Sequence, residues 1–261
     1  MASKDVQSLR LTPFVSGGKV LLLNSGNAWR LEITSGKAGT YRLAQLDDYT
    51  GLRRDIFPWQ PSLELRLEAR ASSPKTLPGT WGFGLWNDPF SLSLGMGGGT
   101  RRFPALPNCA WFFFASPENY LSLRDDLPAN GALAATFRSR HLPAPLVAAG
   151  GLTLPLLAVP ILSQWLRRAA RGFVQQEARS IELDASGWHT YRISWQPGGV
   201  SFLVDEESVL DTNISPVGRL GLVLWIDNQY AALPPGGSPR YGTLANPEPA
   251  WIEVRDVEVR C

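Results

Sequence analysis

Histidine and cysteine are nearly absent from this chain, with two of each in 261 residues. The two histidines, His141 and His189, stand at no metal-ligand spacing with a cysteine or with each other, so the sequence offers no zinc site. Cys109 and Cys261 can close one bridge at most, and Cys261 is the last residue, so no disulfide framework organises the fold. Charge is scarce too. Charged residues make up 18% of the chain, and 25 Lys+Arg against 23 Asp+Glu leave a net +2, which argues against a nucleic-acid binder. The opening Met1-Ala2-Ser3-Lys4-Asp5-Val6 has no apolar signal core, and the expectation is a cytoplasmic protein. There is no nucleophile elbow and no EF-hand loop. Gly95-Met96-Gly97-Gly98-Gly99 lacks the Lys-Ser/Thr ending of a phosphate cradle and reads as a flexible loop.

One absence is local. No charged side chain occurs from Leu142 to Leu166, while Arg138 and Arg140 precede the run and Arg167, Arg168 and Arg171 follow it. Its length would nominally cross a bilayer, but four prolines and Gly150-Gly151 exclude one continuous spanning helix. From Ile161 to Phe173, at about 100° per residue, Ile161, Leu162, Trp165, Leu166, Ala169, Ala170 and Phe173 fill one half of a wheel. Gln164, Arg167, Arg168, Arg171 and, one turn on, Gln175 fill the other, so the spacing predicts a basic amphipathic helix starting at Pro160. Three uses stay open: a lid or core helix on its own domain, a membrane-surface contact, or an oligomer contact.

What the chain does have is apolar bulk and turns. A hydrophobic share of 44% supports one large β domain spanning residues 1–261, with 142–175 as an insertion. Twenty-five glycines and 21 prolines suit many turns and few long helices. Short β-prone runs fall at Lys19 to Leu23, Trp29 to Thr34 and Tyr41 to Leu46. Leu63-Glu64-Leu65-Arg66-Leu67-Glu68-Ala69-Arg70 alternates strictly, as a half-exposed strand must. Trp81 to Trp86 and Ala110 to Ala115 hardly alternate and read as strands buried on both faces. Trp188 to Trp195, Val200 to Val204, Gly218 to Ile226 and Trp251 to Val259 complete the set, with a tight turn at Pro197-Gly198-Gly199. Roughly a dozen strands and no internal repeat imply an all-β antiparallel jelly-roll sandwich.

The segment Gly187-Trp188-His189-Thr190-Tyr191-Arg192-Ile193-Ser194-Trp195-Gln196-Pro197-Gly198-Gly199-Val200-Ser201-Phe202-Leu203-Val204-Asp205 resembles a two-strand unit of the concanavalin A-like lectin/glucanase superfamily, and of family 16 glycoside hydrolases in particular. Leu222 to Gln229 and Trp251 to Val259 resemble the strands that follow it, and Asp205-Glu206-Glu207 replaces the usual Asp-Gly turn. The resemblance implies two curved sheets with a ligand groove on the concave face. In the hydrolases that groove holds a Glu-x-Asp-x-x-Glu strand, and a retaining pair needs carboxyl groups roughly 5–5.5 Å apart. Here the one Glu-x-Asp, Glu182-Leu183-Asp184, is followed by no second glutamate, and the strand that takes the catalytic position, Asn108 to Phe114, carries no carboxylate. The resemblance therefore implies a glucanase-like sandwich without the standard hydrolase motif.

The candidate site is aromatic and amide-rich. Asp47, Tyr49, Trp86, Asn87, Trp111, Tyr120, Trp225, Asp227 and Asn228 are the candidate ligand-binding residues, with turn chemistry as the alternative for the Asp and Asn clusters. Asp48 and Asp88 are the candidate acid and base if the scaffold is catalytic. Leu157, Ile161, Trp165 and Leu166 are the candidate lid or membrane residues. Asp47-Asp48 and Asp125-Asp126 are the candidate positions for a structural Ca²⁺. Three functions compete: a binding protein for an apolar or glycosidic small molecule, an enzyme such as a cyclase or isomerase using Asp side chains, and a peripheral membrane or assembly protein docking through residues 142–173.

Overall fold

The computed structural model describes residues 9–23, 27–72, 77–89, 105–140 without 123, 125 and 128, then 142, 143, 145 and 147, and 167–261 without 233 and 235–239. The strands, in chain order, are β1 Thr12–Ser16, β2 Gly18–Leu22, β3 Ala28–Ile33, β4 Leu43–Asp47, β5 Leu63–Ala71, β6 Thr80–Trp86, β7 Cys109–Ala115, β8 Gly131–Ser139, β9 Val174–Ser180, β10 His189–Gln196, β11 Gly199–Val204, β12 Glu207–Thr212, β13 Gly221–Asp227, β14 Gln229–Ala232, β15 Arg240–Thr243 and β16 Ala250–Arg260. They form two seven-stranded sheets, ordered β1-β4-β13-β6-β7-β8-β9 and β12-β11-β10-β5-β16-β3-β2, with β14-β15 as a small extra ribbon. Every named strand pairing is antiparallel. The two sheets make an antiparallel β-sandwich, the architecture that the strand pattern of the sequence implies.

Each sheet faces the other through one side of its strands. On β5, Leu63, Leu65, Leu67 and Ala69 enter the core while Glu64, Arg66, Glu68 and Arg70 stay outside, as alternation requires. The outer side of that second sheet is covered by a ladder of ion pairs. Glu253 on β16 accepts from Arg30 on β3 and Arg70 on β5, and Glu68 accepts from Arg255. The Arg70 and Arg255 guanidinium groups lie 4.8 and 4.1 Å from the Trp188 ring centroid. Those cations already occupy the ring, so this tryptophan contributes packing to its own sheet.

The β10–β11 turn falls at Pro197 and Gly198, as the Pro-Gly-Gly signal requires. At the next hairpin Asp205 and Glu206 take φ of +49° and +67°, so the tight turn is made without glycine. His189 stitches that hairpin. Its Nδ1 is 2.6 Å from Asp205 Oδ2 and its Nε2 is 3.0 Å from the Asp184 carbonyl oxygen. A carbonyl can only accept, so both bonds are made together by the protonated ring. Asp205 and Asp184 raise the His189 pKa even though burial opposes it. Glu182-Leu183-Asp184 lies in the connection before β10, where Asp184 Oδ1 accepts from Ser186 N–H and Oγ, which is turn chemistry.

In the core, Tyr191 is edge-on to Phe83 and Phe112, both at 4.9 Å. Its buried hydroxyl has no hydrogen-bond partner among the described residues. Tyr191→Phe will therefore raise stability by about 1 kcal/mol, read as a shift in chemical-denaturation midpoint at unchanged slope. A loss of stability on this change would show that the hydroxyl is satisfied.

The amphipathic helix expected over 161–173 is not borne out at its C-terminal end. Residues 167–171 are helical, but the chain turns at 172–173, and Gln175 belongs to β9, paired with Arg138 of β8. Edge pairing with β8 overrides helical spacing there. Leu157, Ile161, Trp165 and Leu166, and the glycine-rich stretch 95–99, lie outside the described residues. No helix among the described residues is long and apolar enough to cross a membrane. Cys109 is buried and Cys261 exposed, and both are free thiols.

Candidate ligand-binding face

The site is built on the outward side of the first sheet. On β13, Val223, Trp225 and Asp227 alternate with the core residues Leu222, Leu224 and Ile226. On β7 the same side carries Cys109, Trp111 and Phe113. The register sets Trp225 opposite Gly82 of β6 and Trp111 opposite Gly84. A Cβ at Gly82 would stand 2.8 Å from Trp225 Cη2, so Gly82 is the floor under that indole, and one at Gly84 would stand 2.6 Å from Trp111 Cα, so Gly84 lets β7 lie close at the root of Trp111.

Over that floor the rings form one cluster. Trp111 and Trp225 are 5.6 Å apart between centroids. Trp86 stacks on Trp225 at 6.2 Å with planes 3° apart, and lies 6.0 Å from Trp111. Phe113 and Phe137 flank Trp111 at 5.6 and 6.1 Å, and Tyr49 is edge-on to Trp86 at 6.2 Å. Trp111 and Trp225 are each 8% exposed, so this outward side is a second apolar cluster rather than a wetted face. β7 sits between β6 and β8, and its outward side chains are a cysteine, a tryptophan and a phenylalanine.

A polar group closes one end. Asp227 is buried, and its Oδ1 accepts from Thr80 N–H at 3.2 Å, Thr80 Oγ1 at 2.9 Å and Gln229 N–H at 3.1 Å. Trp225 Nε1 donates to Thr80 Oγ1 at 3.0 Å, which ties the carboxyl group to the indole cluster. The Tyr41 hydroxyl lies 3.4 Å from Asp227 Oδ2. Burial pushes the Asp227 pKa up to about 7 against the pull of these donors. Burial and the Asp227 carboxyl together hold Tyr41 far above the usual phenol range.

Asp47 stands on the same side, opposite Val223. Its Oδ1 accepts from the Tyr49 and Thr50 N–H groups and its Oδ2 from Gln45 Nε2 and Thr50 Oγ1, so its carboxylate is committed to the turn after β4. Asp47 and Asp227 are offset by four residues along adjacent strands, roughly 13 Å at the rise of a strand. That exceeds both the retaining and the inverting separations of glycosidase carboxyl pairs.

Solved structures similar in shape can now be set beside this face. They include a sialidase (10% identity, TM-score 0.45, 95% of this chain and 16% of that chain), a glycosyl hydrolase family protein from Mycobacterium fortuitum (15%, 0.42, 95% and 90%) and the carbohydrate recognition domain of Emp47p (12%, 0.48, 96% and 87%). This chain spans about a sixth of the sialidase's length. No family model matches the sequence, and no curated protein does. The likeness is one of shape at low identity, and the chemistry of the face has to be read from its own residues.

The remaining candidates are distributed around the sheet. Asp48 does not share the aromatic side. Its Oδ2 accepts from Trp59 Nε1 at 2.5 Å and its Oδ1 from Leu222 N–H at 2.9 Å, which pins Trp59 into the core between the sheets. Burial pushes its pKa up to about 7 against those two donors. Asn87 Oδ1 accepts from Asn108 N–H and its Nδ2 donates to the Leu106 carbonyl. Arg54 donates to the backbone carbonyls of Asn87 and Asp88, holding the end of β6. Asn228 is fully buried and joins the Arg42 N–H and the Thr40 carbonyl of one segment to the Leu244 carbonyl of another, so its amide ties two backbone segments together. Tyr120 donates to the Arg124 carbonyl and lies under the Arg167 guanidinium, 5.6 Å from its ring centroid. At the candidate cation positions, Asp126 pairs with Arg124 and Asp125 lies outside the described residues, while Asp47 and Asp48 face N–H and O–H donors. No group of metal-ligating side chains occurs among the described residues.

Of the candidate residues, the structure brings Trp86, Trp111, Trp225, Tyr49, Asp47 and Asp227 to one face. Sequence reasoning missed Tyr41, Thr80, Gln45, Phe113 and Phe137. Thr80 reaches Asp227 through β6–β13 register, which no local pattern encodes; Phe113 could have been found by extending alternation from Trp111.

Proposed function

We propose that this protein is a non-hydrolytic binding protein on a glucanase-like sandwich, holding an apolar small molecule or the apolar side of a glycosidic one. The observation that carries the reading is the cluster of Trp86, Trp111 and Trp225 over Gly82 and Gly84, at the centre of the sheet where β7 bears no carboxylate. Ligand sites combine such apolar surface with a few placed polar groups. Here the aromatic cluster supplies the surface, and Asp227, Thr80 and Tyr41 supply the polar end. Among the described residues of this face, Asp47 and Asp227 stand too far apart to be the closely spaced pair that sugar cleavage requires.

The test is a titration of tryptophan fluorescence with two probes, 2-ethylnaphthalene and a β-linked gluco-oligosaccharide. Saturable quenching by either is expected, and Trp86→Ala should weaken it by about tenfold or more. Binding of the naphthalene identifies an apolar ligand class, and binding of the oligosaccharide alone a lectin-like one. Flat titrations with both probes, or undiminished affinity in Trp86→Ala, refute the assignment of this face.

A further inference from the structure

The two oxygens of Asp227 are not equivalent. Trp225 Nε1 can only donate to the Thr80 hydroxyl, so that hydroxyl's single proton goes to Asp227 Oδ1. With the N–H groups of Thr80 and Gln229 added, Oδ1 has three donors and no room for a proton of its own. A proton on this carboxyl group therefore resides on Oδ2. Among the described residues the hydrogen-bonding group beside Oδ2 is the Tyr41 hydroxyl, at 3.4 Å. Tyr41 is partly exposed and packs against the aromatic cluster, while Asp227 is buried behind it.

From this geometry we propose that protonated Asp227 sets the Tyr41 hydroxyl as a hydrogen-bond donor toward the ligand, so that the face selects apolar molecules bearing a carbonyl oxygen over their hydrocarbon counterparts. The inference rests on the ligand-binding reading of the face. When Oδ2 carries the proton it donates to Tyr41 Oη, and the phenolic O–H is free to turn to a ligand acceptor. When Asp227 is ionised, Oδ2 accepts a hydrogen bond from the Tyr41 hydroxyl, so the donor is withdrawn from the ligand. Tyr41 is the contacting group and Asp227 the positioning residue. Among the described residues, the groups that pair with or hydrogen-bond to Asp227 are Thr80 from β6, Leu43 from β4, Gln229 from β14 and Tyr41, and none carries a charge. Asp47, on the same side, is four residues away along the strands.

The experiment compares 2-acetylnaphthalene with 2-ethylnaphthalene, near-isosteres that differ by the carbonyl oxygen. Affinities are measured by tryptophan fluorescence at about pH 5.5 and about pH 8.5, on either side of the Asp227 midpoint. At the lower pH the ketone should bind roughly tenfold more tightly than the hydrocarbon, and at the higher pH the preference should disappear. Tyr41→Phe should abolish the preference at both pH values while leaving hydrocarbon binding in place. Asp227→Asn, whose amide donates to Tyr41 at any pH, should keep the preference at both. Equal binding of the two probes by the wild type at about pH 5.5, or an unchanged preference in Tyr41→Phe, overturns the proposal while the ligand-binding face stands. Failure of both probes to bind overturns that face and this inference with it.

Discussion

Gly84→Ala should cost this protein on the order of 3 kcal/mol or more, lowering its melting temperature by roughly 10 °C in a calorimetric scan. The added Cβ would meet the Ala110 carbonyl oxygen and stand 2.6 Å from Trp111 Cα, both backbone atoms of the neighbouring strand. Backbone at the centre of a sheet cannot swing aside as a side chain can, so β6 and β7 would have to part. The Gly84 φ of +153° adds strain for any residue with a Cβ. Gly198, whose Cβ would meet nothing within 4 Å, is the control and should tolerate alanine. Equal melting temperatures for the two variants would mean that the β7 backbone does not approach Gly84 this closely.

The second large effect is on the pH dependence of stability. Asp48 and Asp227 are both pushed by burial from 3.8 to about 7. Below about pH 4 each is protonated folded and unfolded, and its contribution is fully present. Between about 4 and 7 the unfolded chain releases the proton while the folded chain keeps it, so stability falls with rising pH. Each group accounts for roughly 4 kcal/mol at most. Asp227→Asn should remove its share, matching the wild type near pH 4 and exceeding it by a few kcal/mol above pH 7 in urea unfolding. Asp48→Asn should differ from it at low pH. Both Asp48 oxygens accept from N–H donors that cannot reverse, so an amide sets its own N–H against Trp59 or Leu222 and costs about 2–3 kcal/mol near pH 4, a deficit that shrinks as the wild type loses its share toward pH 7. Parallel pH profiles for wild type and Asp227→Asn would sink the assignment of a proton to that group. Glu253 and Asp205 do not mask the window. Despite burial, Arg30 and Arg70 hold Glu253 low and His189 holds Asp205 low, so both lose their contributions as the pH falls below the carboxylate range.

Much of the sandwich was legible before any coordinates. The alternation of Leu63 to Arg70 marked a strand with one wet side, and β5 has one. The unbroken apolar strands at Trp81 and Ala110 implied burial on both sides, and β6 and β7 are buried on both. The insertion was harder. Val174 and Gln175 continue a helical wheel as well as they begin a strand, and pairing with β8 decides between them. β1, β8, β12 and the β14–β15 ribbon carried no strong alternation, since edge and both-side-buried strands obey weaker rules.

The division is clearest in the aspartates. Period two, the glycines of β6 and the indoles of β7 and β13 already specify an aromatic side on a carboxylate-free central strand, because side-chain direction and size are local properties. The chemistry of the acids is different. Asp47 and Asp48 are neighbours in the chain, yet one caps a turn on the aromatic side and the other anchors Trp59 in the core. Burial gives Asp227 its proton-holding character against the pull of Thr80 and Tyr41, which lie 147 and 186 residues away in sequence. Burial and hydrogen-bond partners set a carboxyl group's state, and both arise from strand register across the sheet, which a local stretch of sequence does not encode.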